Sequence, residues 1–205
     1  CAVFPELSVN AQGELSRFAF EDGAVYGFVE THTHLLSNLA FAGGGVYHGD
    51  AFHRLGVEHA LPSCEIPHGD EGRNDLLGYA FDNRDLSVQD ILLPLSAGST
   101  SEFNHATEGY PEFTHWPNAH ASATHQTQYY KWIERAYLSG MRVMVQHAMN
   151  MGFLCDLFAN IGTKANRYGC NDMLQVDHII DQTYAMEDYI DAQEGGPGKG
   201  WFRIV

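Results

Sequence analysis

The chain has 205 residues, of which 44% are hydrophobic and 12% aromatic. That is enough apolar material for one domain with a core, and too much for a disordered chain. Its 26 acidic residues against 11 lysines and arginines leave a formal charge of −15. Such a surface repels nucleic acid and anionic lipid, and suits divalent cations, cationic ligands or plain solubility. No apolar run approaches the ~18 residues of a membrane-spanning helix. Neither nucleic acid nor a membrane span is therefore expected among its partners.

The first predicted element is "GAVYGFVETH", a strand rich in β-branched and aromatic residues and bounded by Gly23. A stretch dense in Gly, His, Asp, Pro and aromatics follows, from residue 35 to residue 120. Within it, "DAFHRLGVEHAL" reads as a short helix. Loops this long are functional or disordered. The aromatic content favours a folded cap inserted over a site.

A helix is expected from Ala121 to Ser139, because Tyr129, Trp132, Ile133, Ala136 and Tyr137 recur at helical spacing. Ser122 or Thr124 could cap it, and Gly140 ends it. "RVMVQHA", Arg142 to Ala148, is a second strand. A helix from Asp172 to about Gln193 follows, with Val176, Ile179, Ile180, Thr183, Met186 and Ile190 on one face and Gly195–Gly196 as its stop. After "EGGPGKG", the segment "GWFRIV" (Gly200 to Val205) reads as a third strand. The alternating order predicts an α/β fold with parallel pairing and right-handed crossovers.

The chemistry centres on "VETHTH". Residues two apart on a strand share a side, so His32 and His34 point the same way and can chelate one ion. They fall at the carboxyl end of the strand, where α/β folds place their sites. Glu30 has the same parity and could orient a ligand histidine. With 12 histidines in the chain, a chance His-x-His is the competing reading. His147 ends the second strand and faces the same mouth, or is an ordinary histidine under the cap. In "YHGDAFHRLG", His48, Asp50 and His53 could grip a polar substrate group or simply cap and pair locally. His105, His115 and His120 lie in loop text, where packing is the default.

There are four cysteines, Cys1, Cys64, Cys155 and Cys170, without CxxC spacing. An even count favours disulfides and export. Of the three connectivities, Cys155–Cys170 is the most local and leaves Cys1 for Cys64. The local loop would contribute about 3 kcal/mol in the chain-entropy model. Four unpaired buried thiols are the alternative. The chain begins with Cys1 and shows no signal-peptide pattern, which fits a processed product or a piece of a longer chain.

The strand ending in His-x-His resembles the opening of the metal-dependent amidohydrolase superfamily, whose members are (β/α)8-barrel hydrolases. More narrowly, "FPELSVNAQG", "THTHLLSN", "VYHGDAFHRLGVEHAL", "THQTQYYKWIERAYLSGMRVMV" and "DYIDAQEGGPGKGWFRIV" resemble secreted bacterial proteins labelled coagulation-factor-5/8-type (discoidin) domain proteins. The likeness spans most of the chain. It implies cysteines at the positions of Cys155 and Cys170. It also implies a partial TIM-like barrel of about three strands, with the cap after strand 1. Residues 1–205 would then be the N-terminal part of one hydrolase-like domain.

The superfamily pattern carries over to His32 and His34 as metal ligands, for one or two divalent ions with zinc first. Its later ligands come from strands not present here, and Glu30 stands where Asp is more usual. The implied activity is hydrolysis of an amide, ester or phosphoester bond in an unknown extracellular substrate. The alternatives are a PHP-like phosphoesterase and a non-catalytic extracellular module. Three parallel strands cannot close on themselves, so the rest of the polypeptide or a second chain is expected to complete the sheet.

Overall fold

The computed structural model describes residues 6, 9, 11–15, 18–41, 43, 47–75, 78, 104–112, 124–125, 128–161 and 168–205, with 157–161 as helical backbone alone. Its sheet has two strands, β1 (Phe28–Thr33) and β2 (Met141–Gln146), paired in parallel. The register runs from Phe28 opposite Met141 to Thr33 opposite Gln146. Irregularities fall after Phe28 and after Glu30. The amide of His147 continues the ladder to Thr33 O at 2.8 Å. Both strands therefore end at one level, and their terminal histidines emerge together.

The helices lie around this pair. Two are single turns, α1 (Val57–Ala60) and α2 (Glu65–His68). The longer ones are α3 (Tyr130–Leu138), α4 (Gly152–Ile161) and α5 (Asp172–Gln193). The core joins Leu35, Leu36 and Leu39 after β1 to Val57 and Leu61 around α1, to Tyr129, Tyr130 and Ile133 of α3, and to Ile179, Met186 and Ile190 of α5. Buried Glu6 stitches the first segment into it. Its carboxylate accepts from Tyr129 Oη at 2.7 Å, Tyr130 Oη at 3.0 Å and Val57 N at 3.2 Å.

Helix α5 has the bounds its periodicity predicts. Its cap is Asn171, whose side chain accepts from Leu174 N at 3.1 Å. The neighbouring Asp172 instead accepts from Asn150 and from Gly152 N, which fixes the start of α4. The stop is Gly195–Gly196, at φ +100° and +125°. Of the predicted face, Ile179, Met186 and Ile190 are buried, whereas Ile180 is exposed.

Helix α3 begins later than Ala121, because Tyr129 is still extended. Thr124 does not cap it, since its hydroxyl donates to Asp75; Ser122 lies outside the described residues. Helix α4 has no counterpart among the predicted elements. The helix expected over Asp50 to Leu61 shortens to α1, because Gly56 takes φ +88° just before it. Of the expected insertion, residues 42, 44–46, 76–77, 79–103 and 113–120, His115 and His120 among them, lie outside the described residues. Its start is tied to the strand ends, since Phe41 N donates to Asn150 Oδ1 at 2.9 Å.

The expected barrel is corrected. Among the described residues there are two strands, not three, and no TIM-like arrangement. "GWFRIV" is not a strand. Asp191 accepts from Gly198 N at 2.6 Å and Gly200 N at 2.7 Å, and Arg203 Nη2 reaches it at 2.9 Å. Trp201 stacks on Tyr137 at 5.6 Å. These anchors hold the segment away from ladder pairing. It lines a groove of about 600 Å³ with Tyr137, Met141, Val143 and Val145. The sheet is left open, and Val25, Val29, Val143 and Val145 are exposed.

Candidate metal sites

At the strand ends, His32 Nε2 and His34 Nε2 lie 3.0 Å apart. The His147 ring stacks on that of His32 at 4.2 Å and lies 5.8 Å from that of His34. His34 Nδ1 is 3.1 Å from the backbone oxygen of His147. A carbonyl can only accept, so His34 carries its proton on Nδ1 and leaves a lone pair on Nε2. His147 Nε2 lies 3.5 Å from Thr31 O. His32 and His147 are exposed and His34 is half-buried. Two nitrogens bound to one zinc at about 2.0–2.1 Å sit about 3.3 Å apart in a tetrahedron. The His32–His34 spacing fits such an ion.

The other predicted site residues are placed elsewhere. Glu30 Oε1 accepts from the backbone N of His32 at 3.0 Å. Asp50 accepts from Asn38 Nδ2 at 2.9 Å. His53 stacks on His59 at 5.5 Å, and its Nδ1 accepts from Leu55 N. His48 Nε2 lies 3.1 Å from Pro62 O, with its ring near those of His68 and His125. The Cys155–Cys170 disulfide is formed, with Cα atoms 5.4 Å apart. The pairing of Cys64 rests on Cys1, which lies outside the described residues; Cys64 itself carries a free, buried thiol.

That thiol belongs to a second group. One donor atom from each of Cys64, His68, His105 and His125 lies within 4.8 Å of the others, a set that could hold a metal ion. Cys64 is the residue before α2 and His68 is its last, so one helical turn puts both on the same side. Backbone bonds bring in the rest. Cys64 N donates to Thr107 O and His105 N to Glu71 O, both at 3.0 Å. His48 N donates to Thr124 O at 2.7 Å. The rings of His68, His105 and His125 are 4.8–5.3 Å apart and within a few degrees of mutually perpendicular.

Asp75 lies beside them, buried. It accepts from Gly78 N at 2.9 Å and from the Thr124 hydroxyl. Its Oδ2 is 3.3 Å from His105 Nε2 and 3.6 Å from His68 Nδ1.

Electrostatics follow from burial. Desolvation pushes the Cys64 thiol up to about 12, with the Asp75 charge adding to it. Desolvation pulls His68 down to about 4, against the opposing pull of Asp75. It pulls His125 to about 2, helped by His68. Burial would raise Asp75, but the hydrogen bond from His105, the nearby His68 and the bonds from Thr124 and Gly78 outweigh it and hold it at about 2. Without a metal, the imidazoles of His68 and His125 are thus neutral donors at ordinary pH.

Reading the sequence missed this group. The His-x-His pattern carries its own geometry, whereas Cys64, His68, His105 and His125 come from three separate segments. The local signal available is the Cys-x-x-x-His spacing of "CEIPH", one helical turn. Comparison of the chain with protein-family models, curated proteins and solved structures finds no match in any of the three.

Proposed function

We propose that this chain is a metal-dependent hydrolase of the amidohydrolase type, acting on an amide, ester or phosphoester bond of an extracellular substrate. His32 and His34 would hold the ion, with His147 beside them. The carrying observation is the tautomer of His34. Its Nδ1 donates to His147 O, and its Nε2 faces His32 Nε2 at 3.0 Å in open solvent. Two ring nitrogens turned on each other need either a shared proton or a shared cation. The acidic surface favours the cation. A divalent ion supplies a low-pKa water and polarises a carbonyl or phosphoryl oxygen. The residues' own part is to fix the donor nitrogens and leave the site open to substrate.

The disulfide supports an exported protein, and no helix among the described residues is long and apolar enough to cross a membrane. The same reading has the open sheet covered by a further stretch of the polypeptide or by a second chain. Metal analysis tests the proposal, together with a panel of nitrophenyl esters, phosphoesters and anilides. The expected result is bound zinc or manganese and turnover, with turnover and the strand-end equivalent of metal lost in His32→Ala/His34→Ala. A metal-bearing protein that hydrolyses nothing in the panel supports the second reading, a non-catalytic extracellular module. That reading is favoured by the want, among the described residues, of a third firmly placed ligand.

A further inference from the structure

We propose that Cys64, His68, His105 and His125 form a second, buried, four-ligand site for a zinc-class divalent ion, whose role is to cross-link three segments distant in sequence. The site is separate in residues and in kind from the exposed histidines of the strand ends, and stands whether or not those bind metal.

Four features carry it. The donor set is one thiolate and three imidazoles, four ligands of the sulfur and nitrogen kinds that zinc takes in a tetrahedron. The donor atoms lie within 4.8 Å of one another, against about 3.3–3.6 Å for the edges of a zinc tetrahedron. An ion would draw them in by roughly an ångström, within the reach of side-chain rotation. The three rings stand mutually near-perpendicular, as blades around one centre.

The third feature is His68 Nδ1, which is buried and makes no hydrogen bond. It lies 3.6 Å from Asp75 Oδ2, outside bonding range. Buried polar atoms of this kind call for an explanation, and a role as a metal ligand is one. His105 adds to it. Its Nδ1 faces Ala106 O at 2.9 Å and its Nε2 faces Asp75 Oδ2 at 3.3 Å. A neutral imidazole has one proton for two such oxygens, so a cation is needed on one side, either a second proton or a metal.

The fourth feature is architectural. The segments at 47–75, 104–112 and 124–125 meet with little regular structure beyond two single-turn helices and a 3-10 turn at Asp70–Gly72. They contribute no strand to the sheet. A metal cross-link is how small irregular regions are stabilised when a core and ladders do not suffice. The charges also close. A divalent ion with the Cys64 thiolate and the adjacent Asp75 carboxylate sums to zero, which a buried site requires. On binding, the ion displaces the thiol proton, which leaves to solvent.

Cobalt substitution of the full chain tests this. With Co²⁺ bound, the protein is expected to show a thiolate-to-cobalt charge-transfer band and the intense visible bands of a tetrahedral ion. Both persist in His32→Ala/His34→Ala and in Cys1→Ser, and both vanish in Cys64→Ser. If Cys64→Ser does not fold, the wild-type thiol still decides. Iodoacetamide should label Cys64 at least ten-fold faster after a strong chelator than with zinc bound. Absence of the charge-transfer band, or equal labelling with and without chelator, overturns the site. A native Cys1–Cys64 disulfide in a non-reducing peptide map overturns it as well. Loss of the band in His32→Ala/His34→Ala would move the metal to the strand ends and also refute it.

Discussion

His34 donates its Nδ1 proton to the backbone oxygen of His147 at 3.1 Å. That single bond ties the end of β1 to the end of β2 and decides which nitrogen of His34 faces His32. Replacing either His32 or His34 by alanine is expected to lower affinity for zinc or manganese at the strand ends by at least about ten-fold. His32 is exposed, so its replacement should change stability by no more than about 0.5 kcal/mol; half-buried His34 also loses its bond to His147 O, at about 0.5–1.5 kcal/mol. Calorimetric metal titration of Cys64→Ser, alone and combined with each alanine variant, reads the strand ends by themselves. Unchanged affinity would reassign the pair as ordinary strand-end histidines.

Glu6 is the buried hub for Tyr129, Tyr130 and the amide of Val57. Burial raises both tyrosines, with the Glu6 charge adding to it, so they remain donors across the physiological range. Tyr129→Phe removes one bond to a charged acceptor and is expected to cost about 1.5–3 kcal/mol. Urea unfolding checks the value. A Glu6→Gln, Tyr129→Phe double variant should show coupling, because the two groups share one bond. Additive effects would mean that the contact contributes nothing of its own.

Asp191 gives the fold an acid limit. Hydrogen bonds from Arg203, Gly198 and Gly200 hold its carboxyl at about 2, below the ordinary 3.8, although desolvation opposes them. A carboxyl whose folded pKa is depressed stabilises fully above its unfolded pKa and loses that contribution as pH falls through the folded one. The window is therefore from about pH 4 down to about pH 2. Wild-type melting temperature should fall across it, and Asp191→Asn should start lower and fall less. Parallel curves for the two proteins would show that Asp191 does not anchor the C-terminal segment.

The sequence made some of this legible and hid the rest for physical reasons. Helix α5 was plain because apolar residues recur at helical spacing through its 22 residues and a glycine pair stops it. β1 was plain because Val29, Thr31 and Thr33 stiffen an extended chain, and it pairs as expected with β2. "GWFRIV" has strand-like residues, but the carboxylate of Asp191 claims the amides of Gly198 and Gly200 just ahead of it. Tertiary capture of this kind leaves no local trace. Thr124 likewise reads as a cap and instead binds Asp75, far away in sequence. The His32–His34 pair needed no tertiary contact to be seen. The group around Cys64 needs three segments to meet, and nothing in the spacing of His105 and His125 announces it.

The Cys155–Cys170 bridge closes a short loop between α4 and the start of α5, with a sequence separation of 15. In the chain-entropy model, such a loop stabilises by about 3 kcal/mol, through restriction of the unfolded chain. Cys155 is fully buried, so its replacement by alanine adds a packing loss to the entropic one. Cys170→Ala leaves that packing in place and is the cleaner probe. It is expected to lower unfolding free energy by about 3 kcal/mol, with Cys155→Ala lowering it further. The measurement is guanidinium unfolding of both variants in the presence of zinc, so that any metal site at Cys64 is equally filled. Reductant should destabilise wild type and leave Cys170→Ala unchanged. If reductant destabilises the variant too, a second reducible bond exists, and the free state of Cys64 would be the first point to re-examine.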